Sequence, residues 1–430
     1  MSASLSTAIV LGTFLVLLVL GVRVFIAMGL SAGLGFWLLL GPDQAIRDFA
    51  AFLWQSSAIF EFIAIPLFVF TGAMIQRTGF GSDVLRLANL VVGRIPNALA
   101  VATVIASAFF ASICGSTVAN AATLSMVAVP LLEEEGYPEG MRGAVVAAGG
   151  ALGMLLPPSI PLIIYGVLTD TSIGQLFVAG IIPGLLTAVA FSIYLVFFAR
   201  VRIQRREGPR GNVTQILLQS LPMLVLPLLI VGAIFSGYMT PSEVGALAAI
   251  YMLVLGLVRK RLTIKIIAEC AKSAALTSTM LIMLVATGLM FSQFMSLAQV
   301  PQQIAAIVQG ISPLPIVVIT AMTVAYLIMG TFLESAAMLI VSIPIFFPIA
   351  GAIGLSPVQF GIFATLNQEV AQIHPPLGIN LITVSAISKI RLESLMLSVL
   401  PYIAMQLIMI YIVYFVPALV TWLPSKMLGH

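Results

Sequence analysis

The chain has 430 residues, of which 61% are hydrophobic and 8% are charged, and its mean hydropathy is +1.17. Soluble domains have about a quarter of their residues charged, so this composition excludes a soluble fold and indicates a chain solvated mostly by lipid. The net charge of +4 fits basic residues that set membrane orientation and argues against a nucleic acid partner. Cys114 and Cys270 lie in separate apolar segments, which argues against a disulfide framework and a thiolate metal site.

Apolar windows separated by breakers predict an all-α polytopic membrane protein with about ten transmembrane spans. The predicted spans cover residues 4–22, 24–41, 52–76, 141–168, 174–199, 214–236, 242–258, 266–296, 357–388 and 393–420. Two further apolar segments, 96–132 and 312–350, are each nearly twice the length of a span and are cut in the middle by polar and small residues. Each of these predicts a pair of helices that forms a re-entrant hairpin.

The basic residues give the predicted orientation, because Lys and Arg gather in short cytoplasmic loops. Two dense clusters, at 200–210 and 259–265, fall in loops that this rule assigns to the cytoplasm. When the chain is traced outward from them, all of the 19 basic residues except Arg47 and Lys426 lie on the cytoplasmic side. Both termini are therefore expected on the outer side.

The two halves of the chain resemble each other at a separation of 218 residues. Residues 136–162 align without a gap with 354–380, which superposes Gly143 on Gly361 and the pair Pro157-Pro158 on Pro375-Pro376. With small gaps, residues 71–72 match 287–288 and Gly115 matches 330. Because the charge-derived topology runs equivalent segments in opposite directions, the pattern predicts an inverted-topology repeat, which is typical of alternating-access transporters.

Small polar residues interrupt both predicted hairpins. The first break reads Ser-Ile-Cys-Gly-Ser-Thr-Val-Ala-Asn at 112–120, and the second reads Met-Gly-Thr-Phe-Leu-Glu-Ser at 329–335. Such residues let the chain turn at membrane depth, where bare backbone is tolerated only against protein or a water-filled cavity. The alternative is close helix packing, which also uses small residues, but one such break at the centre of each repeat favours a binding site.

The Pro-Pro pairs interrupt two predicted spans and free backbone carbonyls of the preceding turn. Free carbonyls are suitable ligands for Na⁺, although a plain kink is the alternative. The second break is flanked by polar residues that must face protein or water, namely Asn367, Gln368, Glu369, Gln372, His374 and Asn380. Ionisable residues inside a membrane indicate function by default. Glu334 and Glu369 are therefore candidates, each with a structural partner role as the alternative, and His374 is either a proton relay or a packing residue.

Two amphipathic stretches, 77–96 and 293–311, stand between the spans and the hairpins. Each predicts a helix that lies along the membrane surface. Such a helix either joins a fixed bundle to a moving one or simply anchors the chain in membrane lipid. An intramembrane enzyme is not supported, because the sequence has two histidines and no HExxH motif.

The hairpin motif CGSTVANAA, the segment LLPPSIPLIIYGVLTD, the TPSE at 240–243 and the late NQEVAQIHPPLGINL together resemble the large membrane subunit of tripartite ATP-independent periplasmic (TRAP) transporters. The resemblance covers essentially the whole chain. His374 is a departure, because the family more typically has Thr before the second Pro-Pro pair.

This resemblance implies a secondary transporter of the bacterial inner membrane that imports a small organic anion by using a Na⁺ gradient. It implies two partners, a small four-helix membrane subunit and a soluble periplasmic binding protein that delivers the substrate. It also implies an elevator mechanism, and the chain then divides into six parts. These are a scaffold at 1–76 and 201–292, arm helices at 77–96 and 293–311, and a transport part at 97–200 and 312–430. A stand-alone symporter or antiporter of a related inverted-repeat family, or a channel, is the alternative.

We expect the substrate anion to be held by helix ends, since the predicted topology puts no Lys or Arg at the membrane midplane. The hairpin helices that restart near Thr117 and Leu333 would present free backbone amides. The residues predicted to bind substrate are Ser116, Thr117, Asn120, Thr331, Glu334, Ser335 and Asn380. The residues predicted to bind Na⁺, mostly through carbonyls, are Ser112, Gly115, Pro157, Gly330, Gln368 and Pro375.

Overall fold

The computed structural model describes residues 3–93, 95–199, 213–303 and 314–427, and these residues are almost entirely helical. The first half contains ten α-helices: α1 (Ala3–Val19), α2 (Val24–Leu40), α3 (Pro42–Ser57), α4 (Ala64–Thr78), α5 (Phe80–Val92), α6 (Ala98–Cys114), α7 (Thr117–Glu134), α8 (Glu139–Ala151), α9 (Ile160–Thr169) and α10 (Ile173–Ile193). Short 3-10 turns at Phe60–Ile63 and Leu152–Met154 precede α4 and follow α8, and α10 continues as a π-helix over Tyr194–Phe198.

The second half repeats this order. Its described helices are α11 (Val213–Phe235), α12 (Pro241–Val258), α13 (Ile264–Leu297), α14 (Pro315–Gly330), α15 (Ser335–Ala352), α16 (Pro357–Ile373), α17 (Ile379–Ser388), α18 (Leu392–Phe415) and α19 (Ala418–Met427). No strand occurs in the described ranges. The all-α prediction is therefore confirmed.

The predicted spans correspond to observed helices. The first two are the 17-residue helices α1 and α2. Two others are α8–α9 and α16–α17, each interrupted at its Pro-Pro pair, and both Pro-Pro peptide bonds are cis. Six more are single stretches with the length and hydropathy of a membrane span: Phe60–Thr78, Ile173–Phe198, Val213–Phe235, Pro241–Val258, Ile264–Leu297 and Leu392–Phe415.

Three predicted boundaries differ from the observed ones. The span predicted at 52–76 is split, because the amphipathic α3 begins at Pro42 and ends at Ser57 before the apolar stretch starts at Phe60. The first arm helix is shorter than 77–96, since left-handed Gly79 (φ +67°) separates it from α4. The second arm was predicted from 293, but α13 extends to Leu297. Residues 304–311 of that arm lie outside the described residues.

The predicted hairpins are two helix pairs, α6–α7 and α14–α15, at equivalent places in the two halves. The turns that follow them also correspond, since left-handed glycines end both pairs at Gly136 (φ +82°) and Gly354 (φ +87°). Glycine is favoured at such positions because it has no Cβ to clash. These equivalences agree with the predicted repeat.

Packing between the halves is reciprocal, as a two-fold relation requires. A Cβ at Gly143 on α8 would overlap the side chain of Leu395 on α18. A Cβ at its counterpart Gly361 on α16 would lie 2.7 Å from the ring of Tyr165 and 2.8 Å from Leu176 on α10. Each broken helix therefore packs closely on the helices that follow the break in the other half.

Polar contacts also join the two halves. The Tyr165 hydroxyl donates to the Pro357 carbonyl at 2.6 Å, and the Asn380 amide donates to the Ala147 carbonyl at 3.3 Å. At the loop end of α8, the Arg391 backbone N–H donates to Glu139 at 2.9 Å, and this hydrogen bond lowers the pKa of the Glu139 carboxyl. These contacts connect the two parts that contain the hairpins and breaks.

The arm helix α5 is tied to the loop between α12 and α13. The Arg261 guanidinium lies 2.7 Å from the carboxylate of Asp83, which is 3% exposed, and 4.6 Å from the centre of the Phe80 ring. The Ser220 hydroxyl on α11 donates to the Asp83 carbonyl at 2.8 Å. The arm therefore contacts both the scaffold helices and the first hairpin helix α6, against which it packs.

Candidate functional site

A cavity of about 260 Å³ lies where the two hairpin tips meet. The first tip contributes residues 115–119 and the second contributes residues 334–336. Met154, Ile160, Pro161, Gln372 and Ile379 come from the two broken spans. The remaining walls are two scaffold helices, which contribute Val69, Gly72, Ala73 and Gln76 from α4 and Ser273, Thr277, Met280 and Leu281 from α13.

The first hairpin tip turns at Gly115, which has a left-handed φ of +59°. Helix α7 then begins at Thr117, with Ser116 as its N-cap and the Ser116 hydroxyl accepting from the Ala119 N–H at 3.4 Å. A Cβ at Gly115 would lie 2.9 Å from the Pro158 carbonyl oxygen. Glycine therefore lets this tip approach the break of its own repeat.

The second hairpin tip is longer by two residues. The N–H groups of Phe332 and Leu333 donate to the Met329 carbonyl at 3.0 and 2.9 Å, so the chain turns once more after Gly330. Helix α15 consequently begins at Ser335, with Glu334 at the N-cap, rather than near Leu333 as the sequence predicts. One oxygen of the Glu334 carboxylate, Oε1, is buried and has no hydrogen-bond partner among the described residues.

Four helix N-termini border the cavity. They belong to α7, α9, α15 and α17, and each has at least one residue of its first turn or N-cap in the cavity wall. The first N–H groups of a helix have no partner within the helix, and they carry the positive end of the helix dipole. No Lys or Arg is among the described residues of the wall. The arrangement is suited to an anion.

Five of the predicted site residues line this cavity: Gly115, Ser116, Thr117, Glu334 and Ser335. Gly330 lies behind the second tip, where a Cβ would overlap that of Ala371 on α16. The Thr331 hydroxyl donates to the Leu327 carbonyl at 3.3 Å. Neither Gly330 nor Thr331 is among the described lining residues.

The other predicted residues lie deeper in the transport part or on its far side. Asn120 and Asn380 are fully buried, and the Asn120 amide donates to the Ser107 carbonyl at 3.0 Å. Gln368 is fully buried, and both polar atoms of its amide lack partners among the described residues. Ser112 and Pro157 line a separate apolar crevice beside α11. Pro375 is partly buried and is not among the described lining residues.

Several lining residues were not predicted from the sequence. Gln76, Ser273 and Thr277 belong to scaffold helices far from either hairpin in the chain. Their only sequence signal is a polar residue within an apolar span. Gln372 was noted among the polar residues near the second break, and the structure places it in the wall with 1% exposure.

Glu369 lies inside the transport part, away from the cavity wall. It is fully buried, and its Oε2 accepts from the Gln406 amide on α18 at 3.1 Å. His374 is half-buried at the C-terminal end of α16, and its Nδ1 has no partner among the described residues. Of the two ionisable candidates among the carboxyl groups, only Glu334 borders the cavity.

Comparison with known proteins identifies the family. Residues 11–419 match the family described as "Tripartite ATP-independent periplasmic transporter, DctM component". The chain belongs to this family. The resemblance seen in the hairpin and Pro-Pro motifs is therefore confirmed, and the chain is the DctM-type component of a tripartite TRAP transporter.

Curated relatives with different printed substrates are similar over most of this chain. The "Isethionate TRAP transporter permease protein DctMQ" of Oleidesulfovibrio alaskensis is 35% identical over 96% of this chain, which spans 65% of that relative's length. The "C4-dicarboxylate TRAP transporter large permease protein DctM" of Pseudomonas aeruginosa is 34% identical over 93% of this chain and 94% of the relative.

A solved structure shares the fold. The YdaH transporter of Alcanivorax borkumensis, whose structure is described as revealing "an unusual topology", superposes with a TM-score of 0.64. The match covers 88% of this chain and 90% of YdaH at 14% sequence identity. The likeness therefore concerns the fold alone.

Proposed function

We propose that this TRAP large permease imports a small organic anion together with Na⁺ by elevator-type alternating access. The observation that carries the proposal is the cavity between the two hairpin tips, which four helix N-termini border and to which both repeats and the scaffold contribute. A site built from both repeats is suited to a substrate that must be released first on one side of the membrane and then on the other.

The polar groups of the cavity support an anionic substrate. Helix N-termini and the hydroxyls of Ser116, Thr117 and Ser335 would hold the negative charge in place of a Lys or Arg. Helix ends carry only about half an elementary charge each, and Glu334 adds a negative charge to the wall. Na⁺ bound nearby would offset both charges, so anion and cation are expected to bind cooperatively.

We place Na⁺ at the contacts between each hairpin tip and the broken span of its own repeat. Close approach of Gly115 to the Pro158 carbonyl and of Gly330 to Ala371 supports this pairing. In the first repeat, Asn120 Oδ1 and Ser107 Oγ are buried oxygens without hydrogen-bond partners among the described residues. Such oxygens, with backbone carbonyls, are the ligands that hard cations prefer.

The uneven position of the cavity along the scaffold supports movement. Gln76 and Ser273 adjoin Arg77 and Lys272, which the charge pattern assigns to the cytoplasmic side, so we propose that the structure is the inward-facing state. Exchanging the repeats moves the α13 contact of the tips from around Thr277 to around Gly288. This shift corresponds to ~16 Å along the helix at 1.5 Å per residue.

Cysteine cross-linking tests this movement in a background with Cys114 and Cys270 replaced by Ala. Ser335→Cys should form a disulfide with Thr277→Cys in the inward-facing state and with Leu289→Cys in the outward-facing state. Each disulfide should block uptake, and reduction should restore it. If only the first pair cross-links under every substrate and Na⁺ condition, the proposed movement is wrong.

The partners and location follow from family membership as proposals for this chain. We propose that it acts in a bacterial inner membrane with both termini on the periplasmic side. A small four-helix membrane subunit would complete the scaffold, and a periplasmic binding protein would deliver the substrate. Reconstituted permease with both partners should take up the anion only with an inward Na⁺ gradient. Equal uptake with K⁺ in place of Na⁺ on both sides would refute the coupling, and full uptake without the binding protein would favour a stand-alone symporter.

A further inference from the structure

Two side chains in the cavity wall have a polar atom without a partner. Gln372, the second-last residue of α16, is 1% exposed, and its Nε2 lacks a hydrogen-bond acceptor among the described residues. Glu334 Oε1 likewise lacks a donor. A buried polar atom left unpaired costs about 1–3 kcal/mol. A ligand that supplies both missing partners is therefore favoured over one that supplies neither.

The chemistry of the two atoms restricts the ligand group that can satisfy both. Gln372 Nε2 is a donor and needs an acceptor, whereas the Glu334 carboxylate oxygen needs a donor. An ammonium group would satisfy Glu334 alone. A keto group would satisfy Gln372 alone, and a second carboxylate would also be repelled by Glu334. A hydroxyl group both accepts and donates, and it is the smallest group that satisfies the pair.

The two repeats differ at this point of the wall. The counterpart of Gln372 at the 218-residue separation is Met154, which lines the same cavity with an apolar side chain. The polar requirement is therefore confined to one side of an otherwise repeated arrangement. The cavity volume of about 260 Å³ equals that of about nine water molecules at ~30 Å³ each, so both atoms are within reach of one small molecule.

We propose that Gln372 is a specificity-determining residue and that the substrate is a small hydroxy acid. Its acid group binds at the helix N-termini, and its hydroxyl accepts a hydrogen bond from Gln372 and donates one to Glu334. This inference rests on the proposed function, because it concerns the same anion site.

Ligands that share a carbon skeleton test the proposal directly. Binding to the purified permease in Na⁺ buffer is measured by calorimetry for lactate, propionate, pyruvate and alanine, and for malate, succinate, oxaloacetate and aspartate. The hydroxy acid of at least one series should bind at least tenfold more tightly than the other three members. Equal affinities within both series, or binding of none of the eight, would overturn the proposal.

Substitutions identify the residues responsible. Gln372→Met, which copies Met154, should remove the tenfold preference for the hydroxy acid and leave binding of the matching acid without a hydroxyl unchanged. Unliganded thermal stability shows whether the variant folds. If folded Gln372→Met keeps the preference, the proposal is wrong. Glu334→Gln should also reduce the preference. If it instead weakens all ligands equally and changes the Na⁺ dependence, Glu334 binds the ion and the proposal fails.

The outcomes separate this inference from the proposed function. Na⁺-dependent uptake of an anion without any effect of a hydroxyl group would refute the hydroxy acid alone. Absence of Na⁺-dependent anion uptake in the complete reconstituted system would refute the proposed function.

Discussion

The contact between Gly330 and Ala371 determines how closely the second hairpin approaches the broken helix α16. A methyl group at position 330 would overlap the Ala371 Cβ and lie 3.1 Å from the Ala371 Cα. Optimal separations between carbon atoms are about 3.5–4.0 Å. Neither group can rotate away, because one is a methyl and the other is backbone. Gly330→Ala must therefore push α14 and α16 apart.

The expected energies follow from this geometry. Overpacking of a core typically costs about 1–3 kcal/mol, and the gain in helix propensity from Gly to Ala is at most ~1 kcal/mol. That gain is reduced because Gly330 is the last residue of α14. We expect Gly330→Ala to lower the free energy of unfolding by about 1–2 kcal/mol. Ala371→Gly should cost about 1 kcal/mol through propensity, but it removes the overlapping methyl.

A double-mutant cycle measures this contact. The free energy of unfolding is determined in mixed detergent micelles for both single variants and for the double variant, which should be less destabilised than their sum by at least ~1 kcal/mol. Strict additivity would refute the packing argument. Uptake adds a second reading: recovery in the double variant assigns Gly330 to packing. Recovery of stability without uptake would support a direct part of the Gly330 backbone in Na⁺ binding.

Two further comparisons test the arm and the tips. Asp83→Asn removes the charge of a buried carboxylate paired with Arg261 and should lower stability by about 1–3 kcal/mol. The exposed pair of Glu269 and Arg77 provides the control, and Glu269→Gln should change stability by less than ~1 kcal/mol. Equal thermal shifts would show that the arm contact contributes little. Ser116→Val should abolish most uptake, because this hydroxyl caps α7 at the cavity, whereas Thr331→Val should reduce uptake only slightly. The reverse order would place the substrate outside this cavity.

The sequence by itself determined the class of the protein, its helices and its repeat. Lipid as the solvent requires long apolar helices, and these are visible in any window of the chain. Broken helices require prolines, and hairpin turns require glycines, so Pro157-Pro158, Pro375-Pro376 and Gly115 marked the breaks correctly. These features depend on local backbone chemistry, which neighbouring residues in the chain specify.

Only the tertiary structure decided which side chains meet. Successive residues of a helix point about 100° apart, so the two-residue delay in the start of α15 brought Glu334 and Ser335 to the cavity and left Thr331 behind it. Ser112 faces a different crevice from Ser116 although only four residues separate them across the turn. Gln76, Thr277 and Gln372 share one wall because separate helices pack there, and no pattern within any one of those helices records which partner it meets.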